Sequence, residues 1–122
     1  MLLDSNIIIY AVKPEHADLR VFIAQQQPAV SAVSYVEVLG YYQLTAADKV
    51  DLEDLFQQLP LLPITDAVIQ QTVQLRQIRK MSLGDALVAA SALTFRLTLV
   101  TRNLKDFQWI PGLQLHDPLA GV

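Results

Sequence analysis

The sequence predicts an α/β domain in which a parallel sheet is covered by helices on both faces. Two observations carry this expectation. Short apolar segments alternate along the chain with longer segments of helical spacing, the order expected of strand–helix–strand units. Hydrophobic residues make up 52% of the 122 positions, enough for a substantial core, with no repeat, low-complexity stretch or linker to divide it. A single domain over residues 1–122 follows.

Leu2-Leu3 is a short strand, and Asp4-Ser5-Asn6 supplies capping side chains for a helix from about Ser5 to Val12. Pro14 suits the first turn of a second helix running to about Gln27, which Pro28 stops. Ala29 to Ser31 is a short buried strand. A helix capped by Ser34 is expected to about Gln43, and another after Thr45 to about Gln58. The latter carries Val50, Leu52, Leu55, Phe56 and Leu59 at helical spacing. Leu61 to Ile64 reads as a strand. Thr65-Asp66 opens a long helix to about Lys80, with Val68, Ile69, Val73, Leu75 and Ile78 as its apolar members. Ser82 opens the next, to about Phe95. Leu97 to Thr101 is a strand, Asn103 to Phe107 a short helical turn, and Leu113 to His116 the last strand.

Composition narrows the function. The net charge of −3 excludes a polybasic nucleic-acid coat, so any contact with nucleic acid must be local. With no cysteine there is no disulfide, thiolate metal site or thiol nucleophile. No apolar run approaches the roughly 18 residues of a membrane span. The N-terminal segment lacks a basic start and is interrupted by Asp4, a poor signal peptide, so a cytoplasmic location without membrane association is expected.

Open parallel sheets place their sites at the carboxyl ends of the strands, near the point where strand order reverses. That rule directs attention to Asp4, to the stretch after Ser31, and to Thr101 to Asp106. Four acidic residues stand out by their surroundings: Asp4 after the first strand, Glu37 in SAVSYVEVLG, Asp85 in GDALVAASA and Asp106 in LVTRNLKDF. A carboxylate beside buried surface is costly unless paired or metal-bound, and clustered carboxylates repel one another. A hard divalent cation resolves both difficulties. With no cysteine and only His16 and His116, the donor set favours Mg²⁺ or Mn²⁺ over Zn²⁺.

Each residue also has a purely structural explanation. Asp4 fits a helix N-cap, and Ser82-x-x-Asp85 and Asn103-x-x-Asp106 fit capping boxes. Glu37 would share a helix face with Val33, Gly40 and Tyr41 and could bond to a tyrosine or the backbone. Arg79 and Lys80 suit the end of a helix as well as a phosphate. Tyr10, Tyr35, Tyr41 and Trp109 suit base stacking, core packing or a protein interface. His16 and His116 read as structural or solvent-facing.

The segments MLLDSNI, SAVSYVEVLG, GDALVAASA and LVTRNLKDF, in that order, resemble the PIN domain, and within it the VapC-type toxins of bacterial toxin–antitoxin pairs. The similarity runs from Met1 to about Leu115. It implies a three-layer α/β/α fold with a five-stranded parallel sheet of order 3-2-1-4-5, and a Mg²⁺- or Mn²⁺-dependent endoribonuclease. Carried over by position, the resemblance makes Asp4, Glu37, Asp85 and Asp106 catalytic. It assigns the metal to Asp4, Asp85 and Asp106, with Glu37 acting on it through water. Ser5, Asn6, Thr101 and Asn103 become supporting residues. Asn103 stands where many PIN domains carry Asp, and Ser5 where Thr is usual. Arg79, Lys80, Arg102 and Lys105 are candidates for phosphate contacts. The implied reaction is in-line attack of water on an RNA phosphodiester, leaving 5′-phosphate and 3′-hydroxyl ends. A small antitoxin that covers the acidic pocket, and a homodimer, are the expected protein partners. A non-catalytic PIN-like module that binds RNA or protein, and a stand-alone RNA-processing nuclease, are the competing readings.

Overall fold

The computed structural model describes residues 1–120; the last two positions of the expected 1–122 domain lie outside the described residues. Five short strands, β1 (Leu2–Leu3), β2 (Ala29–Ser31), β3 (Leu61–Leu62), β4 (Leu99–Val100) and β5 (Leu115–His116), form one sheet. Its order is β3-β2-β1-β4-β5 and every pairing is parallel, as the resemblance implies. Seven helices accompany it: α1 (Ser5–Ala11), α2 (Ala17–Gln26), α3 (Ala32–Leu39), α4 (Ala46–Gln58), α5 (Asp66–Ile78), α6 (Leu83–Phe95) and α7 (Leu104–Phe107).

The register explains the layers. Leu2 lies opposite Ala29 and Leu99, and Leu3 opposite Val30 and Val100. Because successive side chains alternate in direction, the first three point to one face and the second three to the other. Leu2, Ala29 and Leu99 join Val68 and Leu75 of α5, Val88 and Ala89 of α6, and Phe107 of α7. Leu3, Val30 and Val100 join Ile7 and Ile8 of α1, Leu19 and Ile23 of α2, and Leu52 and Phe56 of α4. Two cores thus hold β1 and β4 from both sides. Helix α3 spans the layers, giving Val33 to one core and Val38 to the other. Among the described residues, no helix is long and apolar enough to cross a membrane.

Several boundaries depart from expectation for local reasons. Pro14–His16 forms a separate 3₁₀ turn before α2. Ser31, not Ser34, caps α3: it ends β2 in extended geometry and its Oγ accepts the Val33 N–H at 3.0 Å. The same helix stops at Gly40, short of Gln43, and a Cβ at Gly40 would collide with the Val36 carbonyl. β3 ends before Pro63, which has no N–H to donate. α5 stops at Ile78, with Arg79 extended. β4 and β5 are also shorter than their apolar runs.

Leu19 is fully buried on α2, whereas Val21, two residues along, is 55% exposed. Leu19→Ala is expected to lower the free energy of unfolding by about 2–5 kcal/mol. Val21→Ala should change it by less than about 0.5 kcal/mol. Urea denaturation of both variants checks this.

Candidate active site

The sheet order reverses between β1 and β4: the chain builds outward from β1 through β2 and β3, then returns to β4 and β5. Asp4 stands at the carboxyl end of β1 and Thr101 at that of β4. The Asp4 N–H still pairs with the Val100 carbonyl, at 3.0 Å. Asp4 is only 5% exposed and Thr101 is fully buried. The Thr101 hydroxyl donates to Asp4 Oδ2 at 2.9 Å, across 97 residues of chain, and the Ser5 N–H donates to Oδ1 at 2.7 Å. Asp4 therefore caps α1, as its structural explanation requires, while its second oxygen is held by another strand.

Helix α3 delivers Glu37 to the same end. The Ser5 hydroxyl donates to Glu37 Oε1 at 3.0 Å. Its single proton spent there, Ser5 receives one from the buried Ser34 hydroxyl, 2.9 Å away. Glu37 is otherwise exposed, and its carboxylate lies against Gly84 at the start of α6, where a Cβ would collide with it. Neither a tyrosine nor the backbone takes up this carboxylate.

Asp85 lies in the first turn of α6, which Ser82 caps by accepting the Asp85 N–H at 3.1 Å. The forward half of the expected capping box is thus present. Asp106 lies on α7. The second expected capping box is absent: the Asn103 side chain makes no bond to the α7 backbone, and its amide instead donates to Asp106 Oδ2. The Trp109 indole N–H donates to the Asp106 carbonyl at 3.0 Å.

The electrostatics tie these groups together. Burial pushes the Asp4 carboxyl above its ordinary value, and the nearby charges of Asp85 and Glu37 push the same way. The Thr101 hydroxyl and the Ser5 N–H oppose the rise. Burial also raises Asp85, Ser82 opposes this, and the charge of Asp106 adds to the rise. Asp4 thus feels the charges of Asp85 and Glu37, and Asp85 that of Asp106. Among the described residues, no three acidic or histidine side chains gather closely enough to hold an ion alone.

A cleft of about 560 Å³ opens beside Asp85 and Asp106, walled by Arg79, Lys80, Lys105 and Trp109. Arg79 stacks over Trp109, 5.5 Å from the ring centre. Three of the four expected cations thus reach the cleft. Arg102 does not line it and pairs with Asp117 at 3.5 Å instead. Asn6 is exposed on α1 and contributes no side-chain bond among those described. Tyr10, Tyr35 and Tyr41 are exposed and not in the core. His16 packs on Tyr10, and His116 on Phe22. Sequence reasoning missed three participants. Ser34, three residues before Glu37 on one helix, carried a usable signal because such pairs share a face. Gly84 and Asp117 carried none.

Both raised carboxyls bind more protons folded than unfolded. Without divalent ions, the stability they contribute at low pH should fall away as pH rises from the ordinary carboxylate range through their raised values. Asp85→Asn removes one of these groups and relieves Asp4, so its stability should vary less over this window. Urea midpoints measured in chelator from pH 4 to pH 8 check the sign.

The sequence profile described as "PIN domain" matches residues 1–112. A protein named tRNA(fMet)-specific endonuclease VapC, from Salmonella typhimurium, is 25% identical over 126 aligned positions, covering 95% of this chain and 96% of the relative. A solved toxin–antitoxin complex from Klebsiella pneumoniae contains a chain 29% identical to this one, with a TM-score of 0.75 and 96% of each chain covered. DNA-bound VapBC from Salmonella typhimurium superposes with a TM-score of 0.84 at 22% identity over 96% of each chain, a likeness of fold. With a family match over most of its length, a sheet of the implied order and acidic side chains at the strand-order reversal, the chain belongs to the PIN domain family.

Proposed function

We propose that this chain is a divalent-metal-dependent endoribonuclease, the toxin of a toxin–antitoxin pair acting in the cytoplasm. One observation carries the reading. Four carboxylates from separate elements stand at the carboxyl edge of the sheet, with Asp4 and Asp85 raised by burial and repulsion and, among the described residues, no lysine or arginine in an ion pair with any of them. An all-oxygen donor set with uncompensated charge suits a hard cation, and its open spacing suits Mg²⁺ or Mn²⁺, which keep several waters and need only one or two carboxylates. Of Asp4, Asp85 and Asp106, one or two would hold the ion directly and the rest through its waters, as would Glu37. Such an ion supplies charge neutralisation at phosphoryl oxygens and lowers the pKa of water.

The protein's own residues perform the rest. Thr101 and the Ser5 N–H fix Asp4 so that its orientation does not depend on the substrate. Ser5 holds one oxygen of Glu37, leaving Oε2 to accept a proton from the attacking water. Arg79, Lys80 and Lys105 contact the phosphates flanking the scissile bond, so that a chain of net negative charge binds a polyanion through one local basic wall. This attack needs no 2′-hydroxyl, so preference for RNA arises from the shape and contacts of the substrate. The named activity of the Salmonella relative supports RNA as substrate, and the Klebsiella complex supports an antitoxin partner. Exposed Tyr35, Val36, Tyr41 and Tyr42 near Glu37 offer surface for that partner, and Ile69, Val73 and Leu83 form a second exposed apolar surface.

Purified protein, free of partner, should cut end-labelled structured RNA in Mg²⁺ or Mn²⁺ and stop in chelator. Asp85→Asn should reduce cleavage by roughly 100-fold or more, the scale of losing an electrostatic catalytic group. A folded wild-type chain that binds RNA without cutting it would instead favour a non-catalytic module.

Binding has its own readout. Millimolar Mg²⁺ should raise the melting temperature of the wild-type chain, because a ligand of the folded state stabilises it by mass action. The rise should be smaller in Asp85→Asn.

A further inference from the structure

Asn103 is exposed and bridges the surroundings of two of the carboxylates. Its backbone N–H donates to Thr101 Oγ1 at 3.0 Å, and that hydroxyl passes its own proton to Asp4 Oδ2 at 2.9 Å. The Asn103 backbone is thereby keyed to the buried carboxylate at the end of β1. Its side chain turns outward and donates from Nδ2 to Asp106 Oδ2. The amide must face this way, because its oxygen would repel the carboxylate.

We propose that Asn103 is a positioning residue that locks the carboxylate of Asp106 in register with Asp4 and Asp85; this rests on the nuclease reading above. Asp106 is exposed, on a helix of only four residues, and without a partner its side chain would sample several rotamers. Two donors act on this residue, one on its backbone and one on its carboxylate. Trp109 holds the backbone carbonyl of Asp106, and Asn103 holds carboxylate oxygen Oδ2, which restricts the side-chain rotamers and leaves Oδ1 without a protein partner among the described residues. A carboxylate at position 103 could do neither part of this work. It has no proton to give when ionised, and it would add a further negative charge where Asp106 already disturbs Asp85. The neutral amide fixes geometry without adding charge. One of its two amide protons is committed to Asp106, and it is through this bond that Asn103 acts on the reaction.

Two measurements test this. In the metal-free wild-type chain, the Asn103 side-chain amide protons should show a downfield NMR resonance that collapses to the solvent-exposed range in Asp106→Ala. Asn103→Asp, which keeps the shape, and Asn103→Ala, which removes it, should both lower kcat by roughly 10–100-fold, the scale of a mispositioned catalytic group, with KM for RNA unchanged. Asn103→Ala should cost nothing further in an Asp106→Ala background. Circular dichroism and melting curves establish that each variant is folded. An amide signal indifferent to Asp106→Ala overturns the proposal. So does Asn103→Asp that cleaves at the wild-type rate, or a loss confined to KM, which would make Asn103 a substrate contact. If the wild-type chain cleaves no RNA, the nuclease reading fails, and the amide resonance alone still decides whether Asn103 holds Asp106.

Discussion

Burying one carboxylate at the end of the central strand imposes most of what surrounds it. Asp4 is nearly inaccessible, and desolvation of its charge must be offset locally. The fold supplies two hydrogen bonds, one from the adjacent backbone and one from Thr101 on the neighbouring strand. It supplies no counter-charge and places two further acids nearby. Strand β1 can hold this arrangement because it lies in the middle of the sheet, clamped by apolar packing above and below. An edge strand with one solvated face would relax away from the repulsion. The rigidity of the two cores and the electrostatic tension at their rim are therefore one design.

The acids reach the rim by different routes, and their degrees of freedom differ accordingly. Asp4 and Asp85 are set by capped helix starts. Glu37 is set by hydroxyl contacts and by the missing side chain of Gly84. Asp106 comes from a short helix and depends on neighbouring donors. Order decreases from the sheet outward, so the groups nearest solvent are those that need dedicated bracing.

Much of the fold was legible because its signals are local. Apolar runs, capping residues and prolines mark where strands and helices begin, and the elements arrive in the expected order. Boundaries moved where a local rule competed with a longer-range one. Ser31 and Ser34 are chemically equivalent caps, and only the end of β2 decides in favour of Ser31. Pro63, through its missing N–H, and Gly40, through backbone sterics, mark ends that hydrophobic spacing does not register. At the site, the four acids stand out by their surroundings, whereas Ser5, Thr101 and Asn103 are marked as their supports only by the family resemblance. Nothing in the spacing of Thr101 announces a bond to Asp4, 97 residues away. Nor does anything in Arg102 reveal that Asp117 holds it apart from the other cations. The expected cap by Asn103 failed because an ionised carboxylate attracts its amide more strongly than the backbone of a short helix does.

The protein has a single tryptophan, and it stands in the wall of the cleft. The indole of Trp109 is bonded to the backbone of Asp106 and covered by the guanidinium of Arg79. A polyanion that draws Arg79 off the ring, or an ion that shifts Asp106, changes the polarity around the chromophore. Excitation at the red edge bypasses the four tyrosines, so the emission comes from this one ring. The molecule therefore carries its own optical probe beside the acidic cluster, and a paramagnetic Mn²⁺ ion bound there would quench it by proximity. Occupancy of the cleft can be followed in native, unlabelled protein, independently of whether any bond is cut.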